Sequence, residues 1–523
     1  MIEESKECKM EKMYLEKFRK DLKDFHEMTE KFYNQEITVA EYKGFSGGFG
    51  SYAQRGGERS MLRLRLAGGE VDKEKLKFVA DSIEKYKIDK VHLTTCQTIQ
   101  LHNLEKKTVC ELVEAAWENG IITRGGGGDY PRNVMCSPLS GVNPEETFDV
   151  LPFAKEAGNY LLGFIGEVKL PRKLKVCFSN SDKNEVHATF RDLGFVAREN
   201  GNFDVYIAGG LGIKPKFGVK VVENIAPSKI LYCIKTMVDI FTKYGNYENR
   251  AMSRTRYLQE TLGVEELKKV FKEKLEENLN TQELGLNVDV ESFQPKKQGQ
   301  SGDLKHSRVI PQKQEGLYTV SYHPVGGDVA PEFLRKLYEA IKDMEEVKVR
   351  ITPAQGMYII NLTAKEAEKI LELTKGEAET IFERSTACIG ADICQQGIGL
   401  SQALLKACVE RVRKENFADG VLPAIHISGC PSSCGAHQTA AIGLRGGKKP
   451  SPEGPKFAFA VYENGCQLEG EERFGQDLGI MYEEEIPEFF VELGHAVEAE
   501  GMKYEEFRKK YPERIAEIAA KYV

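Results

Sequence analysis

Four cysteines in the C-terminal third carry spacing that could bind metal. Cys388 and Cys394 lie in Thr-Ala-Cys-Ile-Gly-Ala-Asp-Ile-Cys, a C-x5-C arm. Cys430 and Cys434 lie in Ser-Gly-Cys-Pro-Ser-Ser-Cys-Gly, a C-x3-C arm. Four thiolates are the ligand set of a [4Fe–4S] cluster, and soft sulfur suits iron–sulfur chemistry. Gly390, Ala391, Gly429 and Ser432 are small enough to let two loops close around a bulky cube. Structural zinc is the rival, but it favours tighter cysteine pairs than the longer arm offers. Four buried free thiols are the plainest alternative. The other eight cysteines (Cys8, Cys96, Cys110, Cys136, Cys177, Cys233, Cys408 and Cys466) are scattered and read mostly as buried small hydrophobes.

Cations form a second group. Lys173 and Lys175 stand two apart after the apolar stretch 160–165 and before Val176-Cys177-Phe178, so on a strand they point the same way. Arg63 and Arg65 alternate with Leu62, Leu64 and Leu66 and share a strand face, while Arg55 lies on the glycine-rich loop before them. An ordinary polar sheet face would look the same. His102, His426 and His437 read as packing or supporting groups.

The elements that must carry these residues follow from periodicity. Residues 1–45 are polar and lean helical. A strand is predicted over 61–66, a helix over 73–86, a strand–turn–strand over 90–104 and a helix over 108–119. A helix at 400–412 and a buried strand at 421–427 flank the cysteine arms.

The same order recurs. Adding 258 carries Gly68-Gly69-Glu70-Val71 onto Gly326-Gly327-Asp328-Val329, then Leu76 onto Leu334, Val91 onto Val349, Gln97 onto Gln355 and Asn103 onto Asn361, without a gap. This is an internal duplication, with a period too long for a solenoid. A weaker echo relates Phe178-Ser179-Asn180 through Gly194 to Ile427-Ser428-Gly429 through Gly443, where the first copy has Asn180 and Asn184 near the places of Cys430 and Cys434. The expected organisation is a helical extension at 1–50, an α+β half-domain at 51–122, a larger domain without cluster ligands at 123–293, a linker at 294–316, a second half-domain at 317–380 and a cluster-bearing domain at 381–523.

The net charge of −7 excludes a general nucleic-acid binder. The N-terminal residues lack the apolar core of a secretory signal, and no apolar run is long enough to span a membrane. A cytoplasmic protein, with neither membrane nor nucleic acid as partner, is the expectation. Gly125 to Gly128 lacks the context of a dinucleotide-binding fingerprint, so electrons would have to come from another protein.

C-x5-C followed by S-G-C-P-S-S-C resembles the sirohaem-dependent sulfite and nitrite reductases, and the likeness runs from about Tyr52 onward. The resemblance implies an α+β fold of two ferredoxin-like half-domains and two larger domains related by a pseudo-twofold axis. It implies a cluster on Cys388, Cys394, Cys430 and Cys434, with Cys434 also bridging to the sirohaem iron. Gly128-Asp129-Tyr130-Pro131-Arg132-Asn133-Val134 resembles the loop that brings an arginine to the substrate anion, here Arg132. Leu170-Pro171-Arg172-Lys173-Leu174-Lys175 resembles the segment that supplies two lysines. Arg55, Arg63 and Arg65 are the candidates for the sirohaem carboxylates. Lysine at the place of Lys175 goes with sulfite, asparagine with nitrite, so sulfite reduction is expected, with nitrite second. The donor is expected to be ferredoxin or a flavoprotein subunit.

One position departs from the pattern. The family's T-T-R-Q is Thr94-Thr95-Cys96-Gln97 here, so an expected cation is missing. Cys96 is a candidate for the substrate pocket, expected as a neutral thiol because a thiolate would repel an anion. A non-catalytic iron–sulfur electron carrier is the alternative of another class, but it would need no cluster of cations. A zinc-stabilised interaction protein is a third.

Overall fold

Among the described residues the chain forms four five-stranded sheets, two in small units and two in larger domains. The structure is a computed structural model that describes residues 6–523, with side chains from Met13. The helix Lys6–Tyr33 opens it. Tyr14, Phe18, Leu22 and Phe25 recur at helical spacing and sink into the core of the first small unit, which fixes this polar helix to the domain.

The first small unit follows the predicted order. Strand Ser60–Leu64 is succeeded by helix Lys73–Tyr86, strands Val91–Leu93 and Ile99–Leu104, and helix Lys106–Glu118. The second repeats it with strand Tyr318–Tyr322, helix Pro331–Ile341, strands Lys348–Ile351 and Met357–Leu362, and helix Ala364–Leu373.

The halves are not self-contained. Strand Glu70–Val71 leaves the first unit and pairs with the second, Val71 opposite Val349 and Glu70 opposite Arg350. Strand Asp328–Val329 returns the exchange, Val329 opposite Val91 and Asp328 opposite His92. The two pairings superpose under the same shift of 258, so the duplication is a reciprocal trade of strands about a pseudo-twofold axis. Two glycines make the crossing possible. Gly69 and Gly327 hold φ of +72° and +76°, and a Cβ on either would lie under 3.0 Å from the carbonyl oxygen of Ile351 or Leu93 respectively.

The large domains are duplicates as well. Strands Met135–Cys136, Val176–Ser179 and Leu193–Ala197 run parallel in adjacent pairs, then Phe203–Ile207 and Val219–Ile225 continue antiparallel. Thr386–Ala387, Ile425–Ser428, Ile442–Lys449, Lys456–Glu463 and Gln476–Tyr482 repeat that order. Ser179 faces Val196 and Ser428 faces Arg445, a shift of 249. Left-handed residues keep the register, Asn184 with Ser433 and His187 with Ala436. By that register the counterparts of Cys430 and Cys434 are Ser181 and Glu185, one residue on from the asparagines read in the sequence.

Two further differences concern bounds. The stretch 294–316 is not a free linker: Val309–Pro311 pairs with Tyr318–Tyr322 as the edge of the second small sheet, and Gln300 bonds to Gly316 and Ala364. Polar composition there reflects an edge strand and its turn. The strand predicted over 421–427 begins only at Ile425.

Candidate functional site

The cysteine arms are placed by two adjacent parallel strands. Thr386–Ala387 and Ile425–Ser428 pair at Ala387 and Ile427, and each runs straight into its arm. The Cys388 N–H donates to the Ile427 carbonyl at 3.0 Å, and the Ile398 and Gly399 N–H groups both donate to the Gly429 carbonyl at 2.8 Å. A Cβ at Gly397 or Gly429 would collide with the facing backbone, so glycine is what lets the arms close this tightly. The Gly429 N–H donates to Cys388 Sγ at 3.1 Å, and Ser401 Oγ lies 3.2 Å from the same sulfur.

All four cysteines line one cavity of about 800 Å³. Cys434 is the most open of them, facing that space. Across it stand the cations. Ten lysines and arginines line the cavity against one carboxylate, Asp129, which is already engaged by Arg172 and Arg250 at 2.5 and 2.7 Å. The remaining charge needs an anionic occupant.

Of the residues singled out in the sequence, Arg132, Lys173, Lys175, Cys96, Arg63 and Arg65 all line the cavity. Arg132 donates to the carbonyls of Gly126 and Gly128 at 3.1 and 2.8 Å, while its Nε is buried without a partner. Burial holds the Arg132 guanidinium down to about 10, and Arg65 likewise, with Arg132 adding to the effect. Arg65 reaches the carbonyls of Arg124 and Arg132, and Arg63 that of Gly126. Lys173 has no hydrogen bond or ion pair among the described residues. Burial, together with Arg254, Lys175 and Arg132, pushes its ammonium well below the usual lysine range.

Arg55 takes another place. It does not line the cavity; its guanidinium donates to the carbonyls of Cys394 and Gly397 at 3.1 and 2.7 Å, and its backbone N–H to that of Ile393. Through those carbonyls it straps the first cysteine arm.

Cys96 pairs with a lysine. Lys175 Nζ donates to Cys96 Sγ at 3.4 Å. Burial raises the thiol, but Lys175, Arg191 and Arg63 outweigh it and bring Cys96 down to about 6, which favours the thiolate over the neutral thiol expected from the sequence. Its turn is tied to the cysteine arm, since Thr95 Oγ1 donates to the Cys434 carbonyl at 2.9 Å.

Sequence reasoning missed Arg191 and Arg254. Arg254 is held by Asp192, fully buried, which also receives the Lys175 N–H at 2.8 Å and the Thr255 hydroxyl. No local motif marks either arginine; the buried carboxylate between 175 and 254 explains the placement of Arg254, and Arg191 is held by the Val186 carbonyl at 3.0 Å. His102, read as a packing or supporting group, stands at the cavity wall with both ring nitrogens buried and unpartnered.

Models of known families match this chain in three places. The nitrite and sulphite reductase 4Fe-4S domain matches residues 127–279, and the nitrite/sulfite reductase ferredoxin-like half domain matches 52–118 and 310–376, together more than half of the chain. The chain belongs to the nitrite and sulfite reductase family. The 4Fe-4S match falls on the large domain without cysteine arms; the shared strand order extends the relationship to the domain that has them. A chloroplastic ferredoxin–nitrite reductase of Spinacia oleracea is 26% identical over 82% of this chain and 73% of its own length. A sulfite reductase [ferredoxin] 2 of Mycolicibacterium paratuberculosis is 24% identical over 80% and 75%. The structure of the Mycobacterium tuberculosis NirA protein shares the fold, with a TM-score of 0.74 at 21% identity, covering 90% of this chain and 89% of that one.

The reductase therefore uses a [4Fe–4S] cluster and sirohaem. Its cavity fits both. Four soft thiols on one wall are the donor set of an iron–sulfur cluster. The ten lysines and arginines on its wall, facing a single carboxylate, suit a tetrapyrrole bearing many carboxylates. Among the described residues no helix is long and apolar enough to cross a membrane.

Proposed function

We propose that this reductase converts sulfite to sulfide, a six-electron reduction, with ferredoxin as its electron donor. The observation that carries the reading is the pair Lys173 and Lys175, both lining the cavity that Cys434 faces, with Arg132 on the same wall. In this reading Cys388, Cys394, Cys430 and Cys434 would hold the cluster, Cys434 would also serve the sirohaem, and Arg63 and Arg65 would meet the sirohaem carboxylates. When bound, the coupled cofactors supply electrons and an iron for the substrate's central atom. The chain supplies the rest. Arg132 and Lys173 attract and orient a small oxyanion. Lys173, whose ammonium is already destabilised, releases its proton readily to a departing oxygen. The fixed cations stabilise negative charge as it builds on that oxygen.

Nitrite reduction to ammonia is the second reading. It is supported by the Cys96–Lys175 contact, which removes one free cation from the pocket, and by the name of the spinach relative. Ferredoxin rather than a flavoprotein subunit is supported by the names of both relatives. Unpaired cysteines among the described residues suit a cytoplasmic location. The test is steady-state turnover of both anions with one reduced donor. A kcat/KM for sulfite about tenfold or more above that for nitrite is expected, the ratio ~1.4 kcal/mol of differential binding would give. The reverse ratio reassigns the substrate to nitrite.

A further inference from the structure

Cys96 and Lys175 reach the cavity from different domains. Cys96 sits on the turn between strands Val91–Leu93 and Ile99–Leu104 of the first small unit, and Lys175 immediately precedes strand Val176–Ser179 of the first large domain. Their side chains meet at 3.4 Å on the cavity wall. The turn is rigid. Gln97 holds φ of +55°, Thr94 Oγ1 lies 2.6 Å from Thr98 Oγ1, and Asn133 Nδ2 donates to the Cys96 carbonyl at 3.0 Å. The sulfur is therefore placed, not incidental.

The charges around it come from every side. Lys175 bonds it directly, Arg191 precedes the neighbouring strand, Arg63 stands on the small sheet, and Arg132 feels it from the opposite loop. Cys177, behind it, stays a neutral thiol because burial pushes it up to about 12. One cation in contact at 3.4 Å and three more around it favour the thiolate of this sulfur.

We propose that the Cys96–Lys175 pair sets the charge of the anion this pocket accepts, admitting singly charged oxyanions, nitrite and hydrogensulfite, in preference to the sulfite dianion. The inference rests on the reading of the cavity as an oxyanion-reducing site. The pair acts in two ways. It turns one of the lysine's N–H groups from the substrate to the sulfur, and it leaves a fixed negative charge beside the bound anion. A doubly charged anion feels that charge twice. Lys173 and Arg132 remain to hold one negative charge, and hydrogensulfite brings the first proton of its own reduction.

The test compares the holoenzyme with Cys96→Ser, which removes the charge at nearly constant volume, and Cys96→Asp, which keeps it. KM for total sulfite and for nitrite is measured between about pH 7 and about pH 9, where nitrite keeps one charge and hydrogensulfite gives way to the dianion. Equilibrium titration of each anion, followed by the visible spectrum, gives affinities independent of turnover. In the unaltered enzyme the sulfite KM and dissociation constant climb with pH, by up to about tenfold per unit, while those for nitrite stay nearly level. Cys96→Ser flattens the sulfite curve and tightens sulfite on the order of tenfold at the alkaline end, with little change for nitrite, and Cys96→Asp restores the original curve. Parallel pH curves for the two anions in the unaltered enzyme, or a Ser variant that shifts both anions alike, overturns the proposal. Failure of the parent reading looks different: neither anion is turned over at any pH by enzyme with a normal visible spectrum.

Discussion

Lys173 enters the cavity without a counter-charge, while the lysine two residues on is tied to a sulfur. That difference assigns them different work. In the proposed mechanism the free ammonium, destabilised by burial and by three neighbouring cations, serves as the proton donor. Replacing it with methionine keeps the volume and removes the proton. Turnover in Lys173→Met falls by ~10²–10⁴-fold, the usual worth of a positioned acid, with visible spectrum and iron content unchanged. Rapid-reaction turnover beside an iron assay checks this, and an unaltered rate removes Lys173 from the chemistry. The cysteines and these lysines were legible because their signal is local: short spacings, set by two strands, bring the side chains together. Arg191 and Arg254 were not legible, since what orients Arg254 is a single buried carboxylate, Asp192, far from it in sequence. The strap made by Arg55 was not legible for the matching reason, because backbone carbonyls that capture a guanidinium leave no mark in the residue types.

Among the elements, the turn glutamines show what the duplication preserves. Gln97 donates to the carbonyls of Cys136 and Ile351 and accepts from the Cys136 N–H; Gln355 donates to those of Leu93 and Ala387 and accepts from the Ala387 N–H. Each therefore locks one small unit to the other and to a large domain. The sequence displays the identity of Gln97 and Gln355 under the shift of 258, but not the strand exchange they secure, because Glu70–Val71 and Asp328–Val329 are only two residues long and carry no pairing signal. The two bridges differ in one respect. Ala387 immediately precedes Cys388, whereas Cys136 leads to no cluster arm. Truncating either glutamine strands buried backbone groups and costs about 3 kcal/mol. Gln97→Ala and Gln355→Ala should lower the thermal midpoint alike, while only Gln355→Ala loses iron faster to a chelator. Equal iron loss in both variants removes the link between that bridge and the cluster arm.

Across the whole molecule, the exchange joins the two halves through one buried charge network. Glu70, on the traded strand, lies 2.7 Å from Arg350, 2.9 Å from Lys155 and 3.3 Å from Lys348, with both Glu70 and Arg350 side chains 6% exposed. Its counterpart Asp328 meets Lys90 at 3.4 Å and Lys406 at 2.8 Å in a more open setting. Burial disfavours the Glu70 carboxylate, yet Arg350, Lys155 and Lys348 together hold its carboxyl well below the usual range. A carboxylate so depressed contributes stability in full above its unfolded pKa, about 4.3, and loses that contribution as the pH falls toward the folded value. Glu70→Gln leaves a buried arginine uncompensated, a change worth ~3–5 kcal/mol, so the thermal midpoint at pH 7 falls by about 5 °C. The gap to the unaltered protein narrows in acid, where Glu70 begins to take up its own proton. Asp328→Asn, at the open end of the same axis, costs about 1 kcal/mol or less. Melting curves of the three proteins at neutral and acid pH decide it: equal losses for Glu70→Gln and Asp328→Asn, or a gap that does not close in acid, would mean that the traded strands are held by their backbone pairing and apolar contacts instead of by this carboxylate.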